Sequence, residues 1–250
     1  MRRIDNKAKT RYTVLDILRA VAIIAMVVYH TLWDLVYLFG VSIPWYKTDV
    51  GFIFQQSICC SFILLSGFCW SLGQRKLRRA VTVLVCSAII TVVTAVFMPD
   101  SIIIHGVLSL LGTAMLVTIP LEKFLKKIPP AIGLIINVVL FALTYNISNG
   151  RLGFGISLPD FLYVNGITAF FGFPDSGFFS TDYFPLLPWL FLFWVGFFLY
   201  QLCERKGALK YLSVFSFKPL ELVGRHSLEI YMAHQPIVYG VLYIIFKRIT

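Results

Sequence analysis

The sequence predicts an all-α membrane protein: a bundle of about seven transmembrane helices with a cytoplasmic N-terminus and an outside C-terminus. Of its 250 residues, 58% are hydrophobic and only 14% are charged. A soluble domain of this size does not need so much apolar surface. The apolar runs are also too long and too uniform for the alternating strands of a β-barrel, so helices are expected. No internal repeat or low-complexity tract is evident, and we expect residues 1–250 to form a single domain.

Seven apolar runs are long enough to cross the hydrocarbon core of a bilayer. They are residues 14–38, 50–73, 80–98, 102–121, 129–147, 184–203 and 226–246. The first run is too long and too charged for a cleaved signal peptide, so we expect it to be retained as a span.

Two connections between the spans are longer than the others. Residues 204–225 form a basic loop, and residues 148–183 form a long loop rich in Gly and Phe. Within the second loop, 158–171 could be a short interfacial helix. Long loops of this kind are often functional.

The basic residues predict the orientation of the spans. With the N-terminus in the cytoplasm, 17 of the 22 basic residues lie on the cytoplasmic side. This bias is typical of the positive-inside rule. The net charge of +10 is therefore a topology signal and does not indicate nucleic-acid binding, although anionic lipid or a phosphate ligand could still use it. The cytoplasmic set is Arg2, Arg3, Lys7, Lys9, Arg11, Arg75, Lys76, Arg78, Arg79, Lys123, Lys126, Lys127, Arg205, Lys206, Lys210, Lys218 and Arg225.

Cysteines and common nucleotide motifs give no sign of a metal or ATP site. The sequence contains no P-loop, no H-E-x-x-H and no Cys/His metal spacing, so we expect no metal cofactor. The five cysteines lie in or at the ends of apolar spans and are expected to act as small hydrophobic residues. They are Cys59, Cys60, Cys69, Cys86 and Cys203.

Four ionisable residues lie close to one line along the first span, and we call them the polar stripe: Asp16, Arg19, His30 and Asp34. At about 100° per residue, Asp16 and Asp34 point the same way, with His30 about 40° and Arg19 about 60° away. Charges facing lipid are costly, so the stripe should face a protein interior or a wet cavity. It indicates a pathway or a catalytic seam.

His30 and Asp34 are the first candidates for catalysis. They are four residues apart on one helix face, and a carboxylate beside an imidazole raises its basicity, as a general base requires. A buried polar pair that joins helices, or a proton relay, would show the same pattern.

Asp16 and Arg19 can form an intrahelical ion pair, or Arg19 can meet an anionic ligand entering from the cytoplasm.

The last span carries a second polar face. Ser227, Tyr231 and His234 fall within about 80° of one another on a helix, and Gln235-Pro236 interrupts the regular hydrogen bonding. His234 could act as a second base. A polar packing face at a proline kink is the alternative.

Candidate ligand-binding residues flank the spans. On the outer side, His105 begins the fourth span, and Asp182, Tyr183 and Trp189 combine carboxylate and aromatic groups that suit sugar binding. An interfacial aromatic belt explains most such aromatics equally well. On the cytoplasmic side, the cluster that contains Arg78 and Arg79 could bind phosphate or simply anchor the topology.

Several segments together resemble the heparan-α-glucosaminide N-acetyltransferase catalytic-domain family, in its bacterial branch. The resemblance covers nearly the whole chain and extends to the broader class of integral-membrane sugar O-acyltransferases. Its segments are Arg11-x-x-x-Leu15-Asp16-x-Leu18-Arg19 continuing to His30-x-x-x-Asp34, Leu65-Ser66-Gly67-Phe68, His105-Gly106-Val107-Leu108, the 182–189 stretch, and Gly224-Arg225-x-Ser227 continuing to His234-Gln235-Pro236.

The resemblance implies transfer of an acyl group, usually acetyl, from cytoplasmic acetyl-coenzyme A to a glycan or similar acceptor across the bacterial cytoplasmic membrane. It also implies an active-site histidine, with Arg19 or Arg225 near the coenzyme A phosphates. One position departs from the family pattern: Ser109 stands where members often have a histidine, and His105 could replace it in space.

Two other functions fit the polar stripe. A proton-coupled transporter would use it for flux across the bilayer, although the sequence has no inverted repeats with matching broken helices. A non-catalytic membrane scaffold would leave the buried charges without a purpose. Whatever its function, the chain could also associate with copies of itself as a homo-oligomer.

Overall fold

The computed structural model describes residues 11–247, without the side chain of Lys247. Four of the basic residues used in the orientation argument lie outside the described residues: Arg2, Arg3, Lys7 and Lys9.

The described chain is almost entirely helical. Its α-helices are α1 (Thr13–Tyr37), α2 (Asp49–Phe68), α3 (Lys76–Phe97), α4 (Val107–Leu125), α5 (Pro130–Thr144), α6 (Gly166–Phe171), α7 (Leu186–Arg205), α8 (Lys218–Arg225) and α9 (Ser227–Lys247). A two-stranded antiparallel hairpin, β1 (Arg151–Leu152) and β2 (Ile156–Ser157), lies between α5 and α6. Short 3₁₀ turns are Pro44–Lys47, Pro99–Ser101, Ile147–Asn149, Gly153–Gly155, Asp160–Leu162 and Ala208–Ser213.

The prediction of seven spans is confirmed. In the part of the chain that the structure describes, seven helices are long and apolar enough to cross a membrane. They correspond in order to the seven predicted runs. The predicted orientation, with the N-terminus in the cytoplasm, stays a prediction.

Some predicted boundaries differ from the structure. The fourth span begins at Val107 instead of residue 102, because the segment before it is held as a loop: Ile104 N donates to Ser180 Oγ at 3.0 Å, and Phe184 N donates to the His105 carbonyl at 2.9 Å. The second helix ends at Phe68, short of residue 73. The interfacial helix expected at 158–171 is only Gly166–Phe171 and is capped by Asn165, whose side chain accepts hydrogen bonds from two backbone N–H groups.

The described residues divide into two compact units, which are treated separately below. One comprises residues 11–58 and 203–247, and the other comprises 59–202. The boundaries fall within α2 and near the end of α7. That the chain acts as a single domain stays a prediction.

In the first unit, α1 packs against α8 and α9. The contact with α8 is close because Gly224 has no side chain: a Cβ there would overlap the backbone carbonyl of Asp16. The buried Glu221 accepts hydrogen bonds from Ser216 Oγ and Arg225 Nη2. These bonds tie α8 to the residue Ser216 that precedes it.

In the second unit, α7 forms the core. Phe193, Phe197 and Phe198 are fully buried on it. The end of α2 approaches α7 at two glycines, since a Cβ at Gly67 would overlap the Phe193 carbonyl and one at Gly196 would overlap the Leu64 carbonyl. Small residues that let helix backbones approach closely are typical of packing between membrane helices.

Candidate active site

The C-terminal half of the polar stripe is joined to α9 by the hydrogen bond between Asp34 and Gln235. Asp34 is fully buried, and its Oδ1 accepts from Gln235 Nε2 at 2.7 Å. Its Oδ2 has no partner among the described residues. The i, i+4 spacing allows Asp34 to reach His30, but the structure pairs the carboxylate with Gln235. Asp34 therefore acts across two helices rather than along one.

His30 and His234 lie side by side, one on α1 and one on α9. Their ring centroids are 5.0 Å apart with the planes tilted by 55°. The bond from Gln235, the next residue after His234, fixes α9 against α1 at this level. Sequence analysis singled out each histidine separately, and the fold brings the two rings together.

The tautomer of His234 follows from its partner. Nδ1 lies 2.6 Å from the Tyr231 carbonyl oxygen. A carbonyl oxygen only accepts hydrogen bonds, so Nδ1 must carry the proton and the neutral ring keeps its lone pair on Nε2. Nε2 has no partner among the described residues. His234 thus presents a free basic nitrogen next to His30.

The first turns of α1 hold an ion-pair cluster. Asp16 accepts from Arg19 Nη1 at 3.1 Å and from Arg11 Nη2 at 2.7 Å. The intrahelical pair considered from the sequence is present, and Arg11 is an additional member. Because each guanidinium carries five donors, Arg19 still has N–H groups that could bind an anion.

Arg225 also has a carboxylate partner. Its Nη2 lies 3.3 Å from Glu221 Oε2, and its side chain is largely exposed. The exposed guanidinium retains donors for a ligand. The predicted role of Arg19 and Arg225 in binding phosphate stays a prediction.

Asp182 caps the start of α4. Its Oδ2 accepts from the Val107 N–H at 3.2 Å. Burial raises the pKa of Asp182 to about 6, and this hydrogen bond opposes the shift. Because Asp182 caps α4, this partly buried carboxylate can be explained without a role in binding an acyl acceptor.

His105 lies in the loop before α4 rather than on the helix. Its φ is +56°, and its ring stacks on Phe178 with centroids 5.9 Å apart. Nε2 lies 3.2 Å from the Gly166 carbonyl, to which it must donate. Burial lowers the pKa of the His105 imidazole, so the ring is expected to be neutral at pH 7.

Tyr183 and Trp189 have packing partners within the second unit. The Tyr183 hydroxyl donates to the Ala169 carbonyl at 2.5 Å, and burial raises the pKa of this phenol to about 12. Trp189 is buried, with its ring against Phe141 and Phe184. These contacts anchor the loop before α7. A role for either residue in acceptor binding stays a prediction.

The basic cluster at the start of α3 borders a cavity of about 170 Å³. Arg79 lines it, whereas Arg78 is exposed and is absent from its wall. The full lining is Trp70, Gly73, Gln74, Arg75, Lys76 and Arg79. The structure therefore separates two arginines that sequence analysis treated alike.

No group of three or more His, Cys, Asp or Glu side chains that could hold a metal occurs among residues 11–247. All five cysteines are free thiols.

Sequence reasoning missed Gln235 as the partner of Asp34, because this glutamine precedes Pro236 and was interpreted only as part of a kink. The available signal was that Gln235 directly follows the candidate histidine His234.

Among the described residues, seven helices are long and apolar enough to cross a membrane, and α1 and α9 carry two adjacent histidines; these features define an integral membrane protein with a candidate acid–base site. The family model described as heparan-alpha-glucosaminide N-acetyltransferase, catalytic, matches residues 11–236. The chain belongs to this family, and that membership implies acyltransferase activity. Comparison with curated proteins and with solved structures gave no significant match.

Proposed function

We propose that this protein transfers an acetyl group from cytoplasmic acetyl-coenzyme A to a glycan or similar acceptor on the other side of a bacterial cytoplasmic membrane. Family membership supports the acyl-transfer chemistry. The observation that carries the assignment of the site is the pair of histidine rings, 5.0 Å apart within two membrane-spanning helices. Histidines in such spans are rare and usually functional.

His234 is the base in this proposal. Its proton lies on Nδ1, directed at the Tyr231 carbonyl, so Nε2 is free to take a proton from the acceptor hydroxyl or amine. The acceptor oxygen or nitrogen then bonds to the thioester carbonyl carbon, the carbon–sulfur bond breaks, and the proton held by His234 leaves with the coenzyme A thiol. The His30 ring lies beside the His234 ring and can donate to the carbonyl oxygen as charge develops there.

Asp34 has a positioning role. A carboxylate that accepts from Gln235 holds α9 in register with α1 and keeps the two imidazoles together. This assignment moves the base from His30, as the sequence predicted, to His234, because Asp34 contacts Gln235 and not the His30 ring. Attack by Nε2 itself, to give an acetyl-histidine intermediate, uses the same free lone pair.

The experiment is a transfer assay with the purified protein in liposomes. Acetyl-coenzyme A labelled in the acetyl group is supplied with a panel of glycans, and labelled products are separated from free acetate. We expect labelled glycan from wild-type protein and a loss of about 10²–10⁴-fold with His234→Ala. Flux of acetate, protons or glycan without any acetylated product would instead show a transporter.

A further inference from the structure

We infer that the cavity at the start of α3 binds a phosphate group. It has a volume of about 170 Å³, far more than the roughly 10–15 Å³ that one water requires. Its lining supplies hydrogen-bond donors from Trp70, Arg75, Lys76 and Arg79, and contains no acidic side chain. A cavity with donors and without carboxylates is suited to an anion.

A buried donor without a partner supports this assignment. Trp70 is 1% exposed, and its indole Nε1 has no hydrogen-bond partner among the described residues. Leaving a buried N–H unsatisfied costs free energy, and indole nitrogen can only donate. Trp70 also lines the cavity, so an anion held there would lie against this residue.

Most of the charged side chains around the cavity are positive. Lys76 forms an ion pair with Glu122 at 2.5 Å, and its Nζ lies 4.9 Å from the centre of the Trp70 ring. Lys126 also pairs with Glu122, at 2.7 Å. One carboxylate therefore faces two lysines, while Arg75 and Arg79 add two further positive charges to the wall.

The backbone at the start of α3 also favours an anion in the cavity. The 22-residue helix α3 begins at Lys76, and no side chain caps its first turn. The N–H groups of a first turn and the helix dipole favour an anion at this end. The basic side chains, the unpartnered indole and the start of the helix thus all favour an anionic ligand such as phosphate.

Two molecules could supply the phosphate. One is coenzyme A, an assignment that rests on the proposed function, and the other is an anionic phospholipid headgroup. Both present phosphate oxygens to arginine. The second source does not depend on acyl transfer.

The test compares binding in nanodiscs of neutral lipid. Arg75→Gln, Arg79→Gln and Trp70→Phe each remove one donor or charge, and Lys123→Gln is the matched control because Lys123 is exposed and lies outside the lining. Circular dichroism and size-exclusion profiles select folded variants. We expect each cavity variant to weaken coenzyme A binding about tenfold or more, as for a hydrogen bond to a charged group. Lys123→Gln should bind as wild type does.

Comparison of different ligands in this experiment identifies the source of the phosphate. If the 3′-phosphate occupies the cavity, dephospho-coenzyme A should bind wild type and cavity variants alike. If the variants keep coenzyme A affinity but, in nanodiscs to which phosphatidylglycerol is added, lose this lipid in native mass spectra, the lipid is the ligand and the phosphate site stands. Unchanged affinity for both ligands in Arg75→Gln and Trp70→Phe would overturn the inference. Transfer by His234→Ala is scored separately, so failure of the cavity and failure of the proposed function can be distinguished.

Discussion

At the scale of single residues, the site depends on which atom each polar group contacts. Asp34 Oδ1 accepts from Gln235, and His234 Nδ1 donates to Tyr231. The first bond joins two helices, and the second fixes a tautomer. The pairing of Asp34 with Gln235 does not follow from spacing along a single helix, which is why the sequence predicted that Asp34 would orient His30.

Replacing Asp34 tests its positioning role. Asp34→Asn keeps an oxygen that can accept from Gln235, so transfer should stay within a few-fold of wild type. Asp34→Ala leaves the Gln235 amide without its partner, and transfer should fall by at least about tenfold, equivalent to roughly 1.4 kcal/mol. Initial rates of labelled-acetyl transfer measure both. Loss in Asp34→Asn equal to that in Asp34→Ala would show that the charge itself is required.

We expect replacement of the two histidines to change the rate of transfer by different amounts. His234→Ala removes the free Nε2 and should cost about 10²–10⁴-fold in rate, whereas His30→Ala should cost less because the base remains. Both variants should keep coenzyme A affinity. Single-turnover kinetics separate binding from transfer. If His30→Ala is the more damaging change, the base lies on α1, as the sequence first predicted.

The raised pKa of Asp182 predicts a pH-dependent contribution to stability. An unfolded aspartate ionises near pH 3.9, whereas Asp182 ionises at about 6 in the fold. Its stabilising contribution is therefore fully present below about pH 4 and is lost as the pH rises through about 6. Asp182→Asn keeps an oxygen for the Val107 N–H, and its melting temperature should fall less than that of wild type between pH 4 and 7. Parallel melting curves against pH would contradict this.

At the scale of elements, hydropathy predicted all seven spans. A long apolar run in lipid must satisfy its own backbone hydrogen bonds, so it forms a helix. The ends were less predictable. The start of α4 depends on Asp182, Ser180 and Phe184, which lie far away in the sequence. The meeting of His30 with His234 depends on the packing of α1 against α9, which no periodicity within one span encodes.

The contact between α1 and α8 gives a prediction at this scale. Gly224→Ala places a Cβ against the Asp16 backbone, so the helices must separate. Overpacking of this kind typically costs about 1–3 kcal/mol. Gly240→Ala in α9 is the matched control, since nothing lies within 4 Å of its Cβ position. Thermal melting in detergent should show a lower midpoint only for Gly224→Ala, and equal midpoints would refute the close contact.

At the scale of the whole molecule, the distribution of basic residues predicts a cytoplasmic N-terminus and an outside loop 148–183. A membrane-impermeant maleimide should label Arg151→Cys in intact cells and leave Lys206→Cys unreacted until the cells are opened. The parent variant, with the five native cysteines replaced by serine or alanine, supplies the background. The reverse labelling pattern would invert the topology and place the donor on the other side.

Sidedness of transfer tests the central claim most directly. Proteoliposomes with one defined orientation are loaded with acceptor glycan, and labelled acetyl-coenzyme A is added on the side where Lys206→Cys is accessible. We predict labelled glycan inside the vesicles, and no labelled glycan when His234 is replaced by alanine. Product only when donor and acceptor share one compartment, or equal product from His234→Ala, would contradict transfer across the membrane through this histidine pair.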